Sequence, residues 1–281
     1  MDSVTDPSTA LALLEWQVEL GADEAICDAP IDRYALPMDV PRMTAQTGSA
    51  KANLPATAKA APPALPETLT KDAATALAIA QAIDVARHAA AAASDLGSLA
   101  AAMAAYEHCE LKRGARNLVF ADGNPAARVM IIGEAPGRDE DQEGRPFVGK
   151  AGQLLDRMFA AIGLSRTSPD PQTALYITNV MPWRPPSNRT PEPGEIAMML
   201  PFLLRHIALI GPDVIVLMGN TPCQALLGQG GITRIRGQWT MAQGFPTLPM
   251  LHPAYLFRQP LAKRESWADL LAIQAHLKGQ G

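Results

Sequence analysis

RVMIIGEAPGRDEDQEGRPFVGKAGQLLD, residues 128–156, is the stretch whose reading decides the fold. Its first five residues, Arg128 to Ile132, read as an apolar strand, and from about Lys150 it reads as the start of a helix. Between them lies a polar loop. Open α/β sheets bind ligands outside the carboxyl ends of their strands, so this loop stands where a site belongs. It carries Glu134, Asp139, Glu140 and Asp141 where a phosphate cradle would carry glycine and lysine. Neither the G-x-G-x-x-G spacing of a dinucleotide fold nor the G-K-[ST] ending of a P-loop is present. The residue types point to carboxylate chemistry instead.

Beyond Asn117 apolar strands alternate with helical segments, the order a parallel sheet requires. Strands are expected at 128–132, 175–179, 213–218 and 247–251, and helices at about 150–162, 193–210, 220–227 and 260–277. The expected fold class is α/β: a three-layer α/β/α domain with a central, mainly parallel four-stranded sheet. This domain spans 67–281. It begins with a helical extension, because the alanine-rich residues 67–106 suit one or two helices with a break near 95–98. Ahead of it, residues 1–27 are read as an N-terminal amphipathic helix, with Ser8 as a candidate N-cap. Residues 28–66 are rich in Pro, Ala, Thr and Asp without steady periodicity and read as a linker or arm.

The chain of 281 residues carries 24 Lys and Arg against 28 Asp and Glu, a net of −4. That charge is uneven: residues 1–100 hold 6 basic and 13 acidic side chains, leaving 18 basic and 15 acidic in the rest. A mildly basic C-terminal part is compatible with nucleic acid, since local cations, not the global charge, replace phosphate counterions. No apolar run approaches the roughly 20 residues that span a bilayer, and the N-terminus lacks the basic start and apolar core of a signal peptide. A cytoplasmic monomer with no membrane partner is expected. Cys27, Cys109 and Cys223 are scattered and form no C-x-x-C pair, which fits a reducing compartment.

Read together with YITNVMPWRPPSNR (176–189) and LHPAYLFR (251–258), the loop resembles the uracil-DNA glycosylase superfamily. Within it the likeness is greatest to family four, the branch that normally carries an iron–sulfur cluster. The resemblance covers about Tyr106 to Lys278, and three ordered motifs carry it. It implies an enzyme of base-excision repair that flips uracil out of single- or double-stranded DNA, hydrolyses its N-glycosidic bond and leaves an abasic site. No lysine lies in a matched motif, so a Schiff-base lyase is not expected.

Cleaving that bond leaves an oxocarbenium-like sugar and a departing base anion, so negative charge near the sugar and donors near the base oxygen are needed. By resemblance, Glu134 and Glu140 are the two carboxylates, one supporting the cation and the other positioning water, with the division between them open. Ala135 stands where other branches carry a water-activating Asp. Phe147 matches the residue that stacks on the extruded base. Stacking accepts any base, so selection falls to Asn179, whose amide both donates and accepts, as the O4 and N3–H edge of uracil requires. An Asn at a strand end is by itself more often a cap or turn residue. His252 would donate to uracil O2. The segment YLFR, 255–258, would form a wedge, with the apolar side chains of Tyr255, Leu256 and Phe257 entering the base stack and Arg258 on phosphate. Arg184 and Arg189, in a stiff proline loop, are candidate DNA-backbone contacts, and Arg234 and Arg236 could extend that basic track.

The chain departs from family four at the cluster. Cys109 fits the second position of the family's first cysteine pair, but Tyr106 holds the first, Trp183 the third and Met199 lies near the fourth. Three thiolate ligands are thus missing, so no cofactor is expected and bulky side chains should fill the cluster's volume. Two other readings share the motifs: a uracil- or abasic-DNA binding protein with little turnover, and a small-molecule nucleotide enzyme, which would want the phosphate-binding glycine loop that is absent.

Overall fold

The computed structural model describes residues 67–279. The helix expected within 1–27 and the arm expected at 28–66 lie outside the described residues. Elements follow in the order α1 (Glu67–Ala92), α2 (Leu96–Ala105), α3 (Leu111–Gly114), β1 (Asp122–Gly123), β2 (Val129–Gly133), α4 (Arg138–Glu143), α5 (Lys150–Ala160) and β3 (Leu175–Asn179). The second half continues with α6 (Pro193–Ile210), β4 (Val214–Met218), α7 (Asn220–Leu227), α8 (Ile232–Ile235), β5 (Thr240–Ala242), β6 (Phe245–Met250), α9 (Pro253–Arg258) and α10 (Lys263–Leu277). The break between the first two helices falls at 93–95, where Asp95 caps α2 by accepting from the Ser98 N–H at 2.7 Å.

The strands form one six-stranded sheet in the order β1-β3-β2-β4-β6-β5. The four expected strands are its parallel centre; β1 and β5 add antiparallel edges. The expected count of four is corrected to six because both extra strands are too short, two and three residues, to leave an alternation in the sequence. The alternation of the central strands sorts the two faces. Met130, Ile132, Tyr176, Ile215 and Leu217 pack with α1, α2 and α6 in one apolar cluster. Val129, Ile131, Leu175, Ile177, Val214, Val216 and Leu248 pack with α5 and α10 in the other. Three layers result, as expected.

Helix α6 is apolar enough, and at 18 residues long enough, to pass as a membrane span by composition. Its Met199, Phe202, Leu203 and Ile207 are instead core side chains, and Arg205 donates to the Ala93 carbonyl at 2.6 Å. Small residues on α1 let the two helices approach: Ala82, Ala86 and Ala90, four apart, are buried on one face.

Because β2, β3, β4 and β6 are parallel, the loops beyond Gly133, Asn179, Met218 and Met250 all leave the same edge of the sheet. The chain runs outward from β2 to β3, then back across to β4. That reversal makes the switch point at which such sheets open a crevice.

Candidate active site

A cavity of about 670 Å³ occupies this crevice, a volume in the range of small-ligand sites. Glu134, Glu140, Phe147, Asn179, Arg189, His252, Tyr255 and Arg258 all line it. Three motifs, with residues from Glu134 to Arg258, are therefore brought to one cavity. Arg184 and Leu256 are not among its lining.

His252 is the N-cap of α9, and its Nδ1 accepts from the Ala254 N–H at 3.1 Å. Pro253 at the first helical position supplies the preset φ that starts the turn. A ring nitrogen that accepts from a backbone N–H carries no proton, so the neutral tautomer has its hydrogen on Nε2. Burial, aided by the Arg258 charge and opposed by that of Glu140, lowers the imidazole pKa to about 4. At neutral pH the side chain is thus an uncharged donor through Nε2.

Phe147 sits 6 % exposed with φ of 54°, a left-handed backbone that is costly for a bulky residue and persists only where its surroundings impose it. Opposite charges impose it here. The Glu140 carboxylate accepts from the N–H groups of Val148 at 3.0 Å and Gly149 at 2.9 Å, and from that of Gly137 at 3.1 Å. The buried Arg166 guanidinium donates to the carbonyls of Pro146 at 2.8 Å and Phe147 at 2.9 Å. Arg166 is held in turn by Asp122 at 3.1 Å and Asp156 at 2.8 Å. Space is equally constrained: a Cβ on Gly152 would come within 1.7 Å of the Phe147 oxygen. One on Gly133 would lie 2.6 Å from the Phe147 ring and 2.4 Å from Asn179 Oδ1. The ring ends 5.5 Å from that of His252, tilted by 31°.

Asn179 is buried at the end of β3, and its Oδ1 has no hydrogen-bond partner among the described residues. A buried amide in that condition costs roughly 1–3 kcal/mol and calls for a ligand with a donor. Glu134 follows β2 directly, and its Oε2 accepts from Thr221 Oγ1 at the start of α7. No protein donor among the described residues meets its other oxygen.

The sequence model of the uracil DNA glycosylase superfamily matches residues 120–271, more than half of the chain. The chain belongs to this superfamily. It is 41 % identical over 155 residues to the type-4 uracil-DNA glycosylase of Thermotoga maritima, covering 53 % of this chain and 77 % of that protein. Against the type-4 enzyme of Archaeoglobus fulgidus the identity is 37 % over 174 residues, covering 59 % and 84 %. With that of Sulfurisphaera tokodaii it is 40 % over 176 residues, covering 59 % and 77 %. These relatives put the chain with the type-4 branch of the superfamily.

Type-4 glycosylases are expected to carry an iron–sulfur cluster, and the residues here do not fit one. Tyr106, Cys109 and Trp183, matched by resemblance to three of the cysteine positions, and Met199, near the fourth, are all buried in a single apolar cluster. The Tyr106 hydroxyl donates to the Ala82 carbonyl at 2.8 Å, and its ring meets Phe202 edge-on at 5.3 Å. One thiol remains, and burial raises its pKa. A phenol spent on a backbone carbonyl, an indole and a thioether are no substitute for three thiolates. Among the described residues no group of three or more His, Cys, Asp or Glu is placed to hold a metal ion.

Three of the expected DNA contacts are engaged within the protein. Of the expected wedge, Leu256 is 1 % exposed and packs in the core beneath α9, while Phe257 at 50 % and, further on, Leu261 at 92 % are the exposed apolar side chains there. Adjacent helical positions face about 100° apart, which is why LeuPhe could not be sorted by reading alone. Arg189 lines the cavity but forms two bonds to the buried Glu195, at 2.7 and 2.9 Å. Arg236 is committed to Asp269. Arg166 and Thr221, by contrast, have no sequence signal: each lies outside the three motifs and reaches the site only through the fold.

Proposed function

We propose that this chain is a monofunctional uracil-DNA glycosylase of base-excision repair. The observation that carries the reading is the unpartnered, buried Oδ1 of Asn179, beside an aromatic ring and an imidazole whose proton is on Nε2. Uracil complements this set. Its N3–H donates to Asn179 Oδ1, the Asn179 amino group donates to O4, and the Phe147 ring stacks on its face. Cytosine, with an N3 acceptor and an amino group in place of O4, leaves both amide groups unpaired in this orientation, and unpaired buried groups give strong discrimination.

The target nucleotide is flipped out of the stack into the cavity. As the C1′–N1 bond breaks, its electron pair moves into the base, and negative charge gathers at O2, where His252 Nε2–H donates. A neutral donor suits this step, since it stabilises the departing anion without having to be charged in a buried site. Glu134 supplies the negative charge that supports the oxocarbenium-like sugar. Water adds to C1′ and gives up a proton, the base takes one up, and free uracil and an abasic site result. Glu140, with its oxygens engaged by three N–H groups, shapes the Phe147 loop and acts on the reaction through it. No step calls on a metal or cofactor. The partner is uracil-containing DNA, and the protein is proposed to work as a cytoplasmic monomer.

The deciding experiment measures free uracil released from labelled single-stranded and duplex oligonucleotides by wild type and His252→Ala. Release by wild type, slowed at least a hundredfold in the variant, is the expected result. Tight binding of uracil DNA with no release would reduce the protein to a binding module, and no binding would sink both readings.

A further inference from the structure

A second hollow, of about 470 Å³, is lined by three arginines: Arg116 after α3, Arg138 at the start of α4 and Arg184 in the proline loop. Several arginines elsewhere meet carboxylates: Arg128 pairs with Asp213, Arg166 with Asp122 and Asp156, Arg189 with Glu195 and Arg236 with Asp269. Arg116, Arg138 and Arg184 have no ion-pair partner among the described residues. Arg184 Nε donates to Asn188 Oδ1 at 2.7 Å, which orients the guanidinium and leaves its terminal nitrogens available.

The acid in this hollow, Asp141, forms no ion pair with them. It is buried, and its Oδ1 accepts from the backbone N–H groups of Arg116 at 2.8 Å and Asn117 at 3.3 Å. Asn117 Nδ2 in turn donates to the Asp141 carbonyl at 2.7 Å. These bonds pin the segment carrying Arg116 to the helix carrying Arg138. Three guanidiniums against one carboxylate leave the hollow net positive, which favours an anion there. The planar donors of three guanidiniums suit the oxygens of a phosphate group.

Its location identifies the source of that phosphate. Arg138 follows Gly137, and Arg184 precedes Pro185; both neighbours line the base cavity. The hollow therefore begins one residue outside the cavity's rim, on two of the loops that form it.

We propose that this hollow seats one backbone phosphodiester of the DNA strand that carries the uracil, held by Arg116, Arg138 and Arg184 next to the extruded nucleotide. This rests on the glycosylase reading for the identity of the strand. Phosphate contact at this point fixes the register of the strand, so that the nucleotide alongside is the one presented to the cavity.

Two measurements test it. The salt dependence of binding to a single-stranded oligonucleotide without uracil is compared for wild type and the R116A/R138A double variant, with R116K/R138K as the charge-preserving control. Each phosphate neutralised on a single strand contributes about 0.7 to the slope of log K against log salt, and the hollow seats one, so the alanine variant should be shallower by up to about 0.7. Its affinity at low salt should fall about tenfold per arginine lost, while the lysine variant keeps most of the slope. An unchanged slope and affinity overturn the proposal.

In the second measurement a single uncharged methylphosphonate linkage is walked along a uracil-containing strand. Wild type should lose affinity at one linkage near the uracil, and R116A/R138A should be indifferent there. If no linkage stands out, or if millimolar inorganic phosphate at constant ionic strength competes as well as DNA, the hollow serves a free anion and the proposal fails. The two readings fail separately. Arginine-dependent binding without uracil release would remove the glycosylase and keep the phosphate seat; uracil release with an unchanged slope would do the reverse.

Discussion

Glu140→Gln separates a carboxylate that builds the site from one that takes part in its chemistry. The Glu140 oxygens accept three backbone N–H bonds, two on Oε1 and one on Oε2. Glutamine keeps one acceptor and turns an NH₂ group toward donors, so one or two of these bonds are lost and at least one N–H is left facing another donor. Bonds to a charged acceptor contribute about 1.5–3 kcal/mol, and an unsatisfied buried donor costs about 1–3 kcal/mol, so a loss of about 2–4 kcal/mol follows. For a domain of this size each kcal/mol moves Tm by about 2–4 °C, giving a fall of about 5–15 °C in a thermal unfolding curve. The freed loop would also let the Phe147 ring drift, and a misplacement near 1 Å costs about a hundredfold in rate. Arg166→Ala, which releases the same loop from its carbonyl side, should show the same pair of losses, and the double variant should lose less than their sum because one loop is being released twice. If Glu140→Gln unfolds within a degree of wild type while excision collapses, the clamp is not what Glu140 is for, and the side chain belongs in the reaction.

Glu134→Gln should be the mirror case: unfolding unchanged within about 1 kcal/mol, binding of uracil DNA nearly kept, and excision slowed, because charge at this position matters most as the sugar becomes cationic. Equal losses in binding and rate would make Glu134 structural. Burial lowers both His252 and His206 to about 4. Between that value and about 6.5 the unfolded chain binds protons that the native one refuses, so stability should fall as pH drops through this window and level off below it. Urea midpoints that stay flat from pH 6.5 to 4 would contradict the burial of these rings, and an acid limb in excision near pH 6.5 would show His252 titrating in its working range. Purified protein should contain no stoichiometric iron, and chelation should leave Tm where it was; an iron-dependent Tm would overturn the account of Tyr106, Trp183 and Met199.

The central strands and long helices were legible because burial on both faces writes continuous apolar runs, as in VMII at 129–132 and VIVLM at 214–218. The edges were not, since a strand of two residues leaves no period to detect. Motif order brought Glu134, Phe147, Asn179 and His252 to one cavity, but motifs carry no direction. Whether Leu256 or Phe257 faces outward depends on the rotation of α9, and whether Arg189 is free depends on Glu195, which lies inside a helix. The roles of Arg166 and Thr221 were out of reach for a stronger reason: the residues they hold are 19 and 87 positions away, and only the folded chain brings them near.

The Arg166 triad also bears on how portable this site is. Asp122 belongs to the two-residue edge strand and Asp156 to α5, so the platform for the base is anchored to the outer border of the sheet as well as to its crevice. Grafting the three motifs onto another parallel sheet would deliver every side chain expected to touch DNA and still yield a slack receptor, because the backbone of Phe147 would relax to an ordinary conformation. A successful transplant must carry the edge strand and the 165–168 turn with it, and recognition in this protein is in that sense a property of the sheet's margin as much as of its mouth.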